Sequence, residues 1–291
     1  MRNAVRFAGA ALAAVALLAA GPAVSQSFLN NLIPGRGESN SPDAWKVCEG
    51  QDGAPLDKQI EGCTAVIDIG GESDIVTAGA YTNRGNALRE SGEMDRAIKD
   101  FNKAIGLDSK LADAFAGRAA VFVLKGQFDF ALLDYNQAIK LNPKHVDTYY
   151  FNRGTTYSLQ GQYDKAVQDF DQVIRTNPKN SAAFNNRCFA RAKAGQAQAA
   201  LPDCEEALRL RPYDAEFIDT RAFANLKLGQ LDRAIADYSD ALDINPQLSS
   251  SLYGRGMARL KKGDKRGSAD IAAAKAINAD IVAQFARYGV K

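Results

Sequence analysis

Four cysteines, one histidine and a set of evenly spaced arginines and aspartates are the residues of this 291-residue chain most able to do chemistry. A thiolate can ligate a metal, attack an electrophile or close a disulfide, and each use asks for its own neighbours. Cys48, Cys63, Cys188 and Cys204 form no CxxC pair, and the lone His145 is not near any of them in the sequence. Metal binding and thiol catalysis are set aside in favour of disulfides. Four cysteines permit three pairings, which spacing alone does not separate.

The arginines and aspartates follow six glycines, Gly92, Gly126, Gly161, Gly195, Gly229 and Gly263. Eight residues before these stand Arg84, Arg118, Arg153, Arg187, Arg221 and Arg255, and eight residues after the first five stand Asp100, Asp134, Asp169, Asp203 and Asp237. Asp270 is displaced by one missing residue. Residues equidistant from the turn of an antiparallel hairpin lie at one height, so the pairs Arg84–Asp100, Arg118–Asp134, Arg153–Asp169, Arg187–Asp203 and Arg221–Asp237 are expected. A row of arginines could also hold an anionic ligand. With a carboxylate matched to every arginine, internal struts are the preferred reading.

The elements that position these residues recur with the glycines, in steps of 34, 35, 34, 34 and 34 residues. Ala97, Ala131, Ala166, Ala200 and Ala234 keep the same beat, as do Pro143, Pro178, Pro212 and Pro246. Apolar residues on both sides of each glycine follow helical spacing, as in Tyr81 and Leu88, then Ile98, Phe101 and Ile105. Asn-Pro ends the second helix, because a residue before proline is pushed out of the α region. Each repeat is then an antiparallel helix pair that cannot bury its apolar face alone and must stack on its neighbours. In this register Cys63 and Cys204 hold the same place on a second helix, and Cys48 and Cys188 lie on the first helix of the same pair. Links Cys48–Cys63 and Cys188–Cys204 are predicted, each stapling one hairpin.

The run from Tyr150 through Gly154, Tyr157, Ala166 and Phe170 to Pro178 resembles the aromatic, Gly, Tyr, Ala, Phe and Pro pattern of the tetratricopeptide repeat (TPR) family. The resemblance implies an all-α fold, a TPR solenoid in which antiparallel helix pairs build a right-handed superhelix. First helices would line a concave groove that holds a peptide. Residues 78–281 would be six such units, preceded by a degenerate disulfide-bonded hairpin at 44–77 and followed by a capping helix at 282–291. Ile281, Phe285 and Tyr288 share one face of that last helix.

Offsets of 13, 10, 9 and 6 residues before each glycine share one side of the first helix. They place Asn83, Asn86, Phe151, Asn152, Asn185, Asn186, Phe189, Phe223 and Tyr253 on the groove. Asn offers a donor and an acceptor to a peptide backbone, and aromatics suit side-chain pockets. These offsets hold no Lys or Arg, while Asp113, Glu216 and Asp219 do lie there. The groove therefore suits a neutral or mildly basic protein or peptide, and not the acidic tails that some TPR proteins clamp.

Arg2 and Arg6, an apolar run from Phe7 to Ala20 and the small residues Ala23 and Ser25 read as a signal peptide over 1–25. A flexible leader over 26–43 would follow. Secretion, with the periplasm as the expected compartment, agrees with disulfides; after cleavage no membrane span is expected. The 36 basic residues less Arg2 and Arg6 then balance 34 acidic ones, which argues against nucleic-acid binding. With no Gly-rich phosphate loop and no nucleophile beside a base, the expectation is a scaffold or adaptor, not an enzyme, without cofactor or metal. A chaperone for exported proteins, or the recognition subunit of an envelope enzyme, is the alternative.

Overall fold

The computed structural model describes residues 42–142 and 146–290. The expected signal peptide, most of the leader, and His145 lie outside the described residues. The chain divides into two compact units, with the division after Thr156.

The first unit comprises α1 (Pro42–Cys48), a 3-10 turn at Gln51–Gly53, α2 (Leu56–Ile69), α3 (Asp74–Glu90), α4 (Met94–Leu107), α5 (Ala112–Leu124), α6 (Phe128–Leu141) and most of α7 (Val146–Leu159). The second continues with α8 (Tyr163–Thr176), α9 (Ser181–Lys193), α10 (Ala197–Leu210), α11 (Ala215–Lys227), α12 (Leu231–Ile244), α13 (Ser249–Lys261), α14 (Gly267–Ile277) and α15 (Ile281–Arg287). No strand occurs among the described residues. Within each unit, consecutive helices pack as hairpins, and first helices of successive hairpins also meet, as α3 meets α5 and α9 meets α11.

Local sequence accounts for the helix ends. The six series glycines all take positive φ, from +71° to +86°. At Gly126, whose φ is +72°, this lets its own N–H reach the Val123 carbonyl at 2.9 Å and the Gln127 N–H reach the Phe122 carbonyl at 2.8 Å. These are the paired bonds of a left-handed helix stop, a conformation that a Cβ would strain. At the other end of the hairpin, the residues before proline leave the helix: Asn142, Asn177, Arg211 and Asn245 have φ of −128°, −134°, −139° and −130°. Asn180 and Asp214 then cap the helices that follow, accepting from the Ala183 and Phe217 backbone N–H groups.

The series alanines are fully buried and let paired helices approach. Four residues further along the second helix an aromatic side chain plugs the hairpin: Phe101 and Tyr135 in the first unit and Tyr238 in the second, all 0% exposed, and Phe170 on α8 is equally buried. A small residue opposes the plug. A methyl group added at Gly117 would come to 2.4 Å from the Phe101 ring, and one at Gly254 to 2.2 Å from the Tyr238 ring. Cys204 holds the plug position between α9 and α10, and its disulfide to Cys188, with Cα atoms 5.5 Å apart, fills that space. The second disulfide, Cys48–Cys63, joins α1 to α2 with Cα atoms 4.4 Å apart, packed with Trp45, Val66, Val76 and Ala80. Sulfur therefore replaces a ring in two hairpins.

Candidate functional site

The arginines eight residues before each glycine are held by three kinds of contact. Arg84 donates through Nε and Nη2 to Asp100 at 2.7 and 3.0 Å, Arg118 to Asp134 at 2.7 and 2.8 Å, and Arg187 to Asp203 at 3.0 and 2.5 Å. Arg221 engages Asp237 at 3.0 and 2.6 Å, and Arg255 engages Asp270 with both bonds at 2.9 Å. Each is a two-pronged, charge-assisted pair inside one hairpin. The remaining prong, Nη1, reaches the second helix of the preceding hairpin: Arg84 to Thr64, Arg118 to Asn102, Arg187 to Asp171 and Arg255 to Ser239. The acceptor stands two residues after the position of the series aspartate in the preceding hairpin. Finally, Arg84, Arg118 and Arg187 lie over Tyr81, Phe115 and Phe184, three residues earlier, at 5.3 to 5.6 Å. Arg153, in the first unit, donates to Asn136 and stands over Tyr150; Asp169, in the second, is buried on α8.

Charge is retained at Arg84 and Arg187. Asp100 holds the Arg84 pKa above its ordinary value by hydrogen bonding. Burial opposes the charge of Arg187, and its bonds to Asp203 and Asp171 more than offset this. In three hairpins a second donor, four residues after the arginine, joins the same aspartate: Arg191 to Asp203, Asn225 to Asp237 and Arg259 to Asp270. With every prong of the guanidinium engaged, Arg84, Arg118, Arg187 and Arg255 serve as ties within and between hairpins.

The first-helix face differs along its length. Asn83 and Asn86 are half-buried on α3, with the Asn86 Oδ1 beside Gly117 of α5. Phe151 is half-buried, and Asn152 is buried on α7 at 8% exposure, deeper than a freely presented amide. Asn185 and Asn186 are half-buried on α9. Two amide atoms, Asn83 Nδ2 and Asn185 Oδ1, are buried with no hydrogen-bond partner in the described structure. Two carboxylates of this face are engaged internally: the Tyr149 hydroxyl donates to Asp113 at 2.6 Å, and the Ser251 hydroxyl donates to Asp219 at 2.5 Å. Burial pushes the Asp219 pKa up to about 6, and burial likewise raises that of Tyr149.

Phe189, Phe223 and Tyr253 do not form an open aromatic face. α15 and the residues after it lie across them. Phe285 packs at a tilt against Tyr253 with ring centroids at 4.7 Å and meets Phe223 edge-on at 6.1 Å. Tyr288 meets Phe189 and Phe223 edge-on, each at 5.9 Å. Phe223 and Tyr253 are left 2% and 6% exposed. Lys193 and Lys227 complete this arrangement. The Lys193 ammonium sits 3.5 Å from the Tyr288 ring centroid, 4.2 Å from that of Phe189 and 5.1 Å from that of Tyr163. Burial pushes its pKa down to about 7, against the preference of the three ring faces for a cation. Lys227 Nζ donates to the Tyr288 carbonyl at 2.9 Å. Offsets on the groove face alone miss both lysines. They stand two residues before Gly195 and Gly229, a position Lys261 repeats before Gly263.

Among the described residues no helix is long and apolar enough to cross a membrane, and no group of three or more His, Cys, Asp or Glu is placed to hold a metal ion. An open cleft among Leu208, Pro212, Tyr213, Ile218 and Ile244 lies apart from the first-helix face residues.

Comparison with known proteins identifies the repeats. A tetratricopeptide-repeat profile matches residues 78–111 and 148–180, a second TPR profile residues 119–161, and a third residues 215–248. The chain carries tetratricopeptide repeats. A crystal structure of a TPR protein from Parabacteroides merdae is similar, with 20% identity over 88% of this chain and 99% of that one, and a TM-score of 0.66. The Cut9–Hcn1 complex of APC/C gives the same score at 16% identity, covering 95% of this chain and 52% of that one. MamA from Desulfovibrio magneticus RS-1 matches over 58% of this chain and 96% of its own, at 20% identity and a TM-score of 0.51. At these identities the likeness is one of TPR fold. No curated protein matches the sequence. In TPR terms, the glycine stops, alanine contacts and aromatic plugs belong to the scaffold, while the amides of α3 and α9 and the aromatics of α9, α11 and α13 lie on the first-helix side.

Proposed function

We propose that this TPR protein is a secreted, periplasmic scaffold or adaptor that binds a neutral or mildly basic protein or peptide along the groove formed by its first helices, and performs no catalysis. The observation that carries this reading is the pair of buried amide atoms, Asn83 Nδ2 and Asn185 Oδ1, that find no partner in the described structure. A buried polar group left unsatisfied costs about 1–3 kcal/mol. Within its own unit each amide offers a donor or an acceptor of the kind a peptide backbone matches, with a carbonyl and an N–H at every residue. Glu216, exposed on α11, supplies an acidic group on this side, and two disulfides suit an oxidising compartment.

The test is a pull-down from envelope extract with the chain and its Asn83→Ala/Asn185→Ala variant. Because neither amide atom has a partner to lose, the variant is expected to match or exceed the parent in thermal stability. Its affinity for the captured partner should fall at least tenfold. Capture of many unfolded clients instead of one stoichiometric partner would make the protein a chaperone. Full retention of the partner by the variant would move the site off these helices.

A further inference from the structure

We infer that Phe189, Phe223 and Tyr253, with Lys193 and Lys227, form a receptor for a short amphipathic helix of a partner protein, one carrying an aliphatic residue, Phe and Tyr at successive positions i, i+4 and i+7. The inference rests on the groove-binding reading and names the partner's chemistry at one end of that groove. Residues 281–290 of the chain are the template. Ile281, Phe285 and Tyr288 have this spacing, and Ile281 and Phe285 are 1% and 3% exposed.

The geometry is that of a bound helix. α15 has seven residues, and isolated helices shorter than about 12 residues are marginal in water. Its helical state is therefore supplied by the surface on which it lies. The contacts have polarity as well as shape. The Lys227 ammonium meets the Tyr288 carbonyl just past the helix C-terminus, where a cation complements unsatisfied carbonyls. Lys193 lies against the face of the Tyr288 ring. Such a receptor reads two rings three residues apart and the direction of the helix that bears them.

A tethered occupant sets the threshold for any competitor. Segments linked by a short connection act at an effective concentration on the order of 1 mM. A free helix of about 10 μM intrinsic Kd would then bind the closed protein roughly 100-fold more weakly than the open one. The same segment of a second copy has no advantage over the tethered one at micromolar protein. A partner whose helix fits better does, and so the partner is the occupant to which the geometry points.

The probe is a labelled peptide with the sequence of residues 279–290, beside a control peptide with Ala for its Phe and Tyr. The full chain and its Phe285→Ala/Tyr288→Ala variant are titrated with both. Tighter binding of the probe to the variant, by about 100-fold over the parent, with no binding of the control, supports the receptor. A variant of parental helicity that binds probe and control equally would overturn it, as would a parent that sediments as a dimer exchanging this segment. Should the variant lose helicity, the parent is mixed with excess probe and amide exchange is followed over residues 285–290. Faster exchange there supports displacement, and unchanged exchange refutes it. Because the probe is supplied, a pull-down that captures nothing bears only on the adaptor reading, and a captured partner with no probe binding sinks this inference alone.

Discussion

Replacing Arg118 by leucine is the sharpest test of the ties between TPR hairpins. The guanidinium makes two bonds to Asp134, at 2.7 and 2.8 Å, and one to Asn102 at 2.6 Å. The two side chains of the ion pair are 21% and 10% exposed. Breaking a buried pair by removing one partner costs about 3–5 kcal/mol, because the other charge stays behind. Water reaches part of this site, so a loss of about 2–4 kcal/mol is expected. Position 122, four residues on, is Phe and cannot donate to Asp134. At Arg255 the outcome should differ, since Arg259 also donates to Asp270 at 2.7 Å. There the remaining charge keeps a strong bond, and Arg255→Leu should cost about 1–2 kcal/mol. Arg118→Leu/Asp134→Leu should recover most of the first loss, since an apolar pair removes the stranded carboxylate. Urea unfolding followed by circular dichroism measures all three, and the fluorescence of Trp45 follows the first unit independently. An unchanged midpoint for Arg118→Leu, or equal losses at Arg118 and Arg255, would refute the reasoning.

Three other perturbations bear on the packing and the acidic face. Cys188→Ala/Cys204→Ala should lose about 3 kcal/mol from the closed loop alone, and Cys188→Ala/Cys204→Phe should regain much of it by restoring an aromatic plug; thermal melts of the two variants would separate these outcomes. Gly117→Ala forces a methyl against the Phe101 ring and should destabilise by about 1–3 kcal/mol in a denaturant titration. Asp219 has a folded pKa near 6, raised by burial from an ordinary 3.8. Between these values the folded state binds more protons than the unfolded state, so this group's contribution to stability falls as pH rises from about 4 to 6. Asp219→Asn should remove that slope from a pH series of melting temperatures, while an unaltered slope would assign it to other groups.

The hairpin repeat is open to sequence reasoning because its signals are local: a glycine that must take positive φ, a proline that ends a helix, and offsets counted from the turn. Those same offsets set Arg84 opposite Asp100. The third prong of Arg84, Arg118, Arg187 and Arg255 is harder to foresee, since its acceptors are Thr64, Asn102, Asp171 and Ser239, alike only in having a short polar side chain. Their fixed place two residues after the aspartate position was the available signal. The burial of Asn152 follows from packing that an offset does not measure. The covering of Phe223 and Tyr253 depends on where a segment some thirty to sixty residues later comes to rest. Ile281, Phe285 and Tyr288 mark that segment as amphipathic, yet nothing in their spacing says which surface receives them.

The two sulfur plugs also tie rigidity to chemistry outside the fold. A hairpin closed by Phe101 or Tyr135 is complete once its helices meet, whereas those closed by Cys48–Cys63 and Cys188–Cys204 hold only small thiols until an oxidant removes two electrons and two protons from each pair. In reducing surroundings those two hairpins would be underfilled while their neighbours were already packed. The order in which this repeat array becomes solid is then set partly by when it meets an oxidant, and not by its sequence alone.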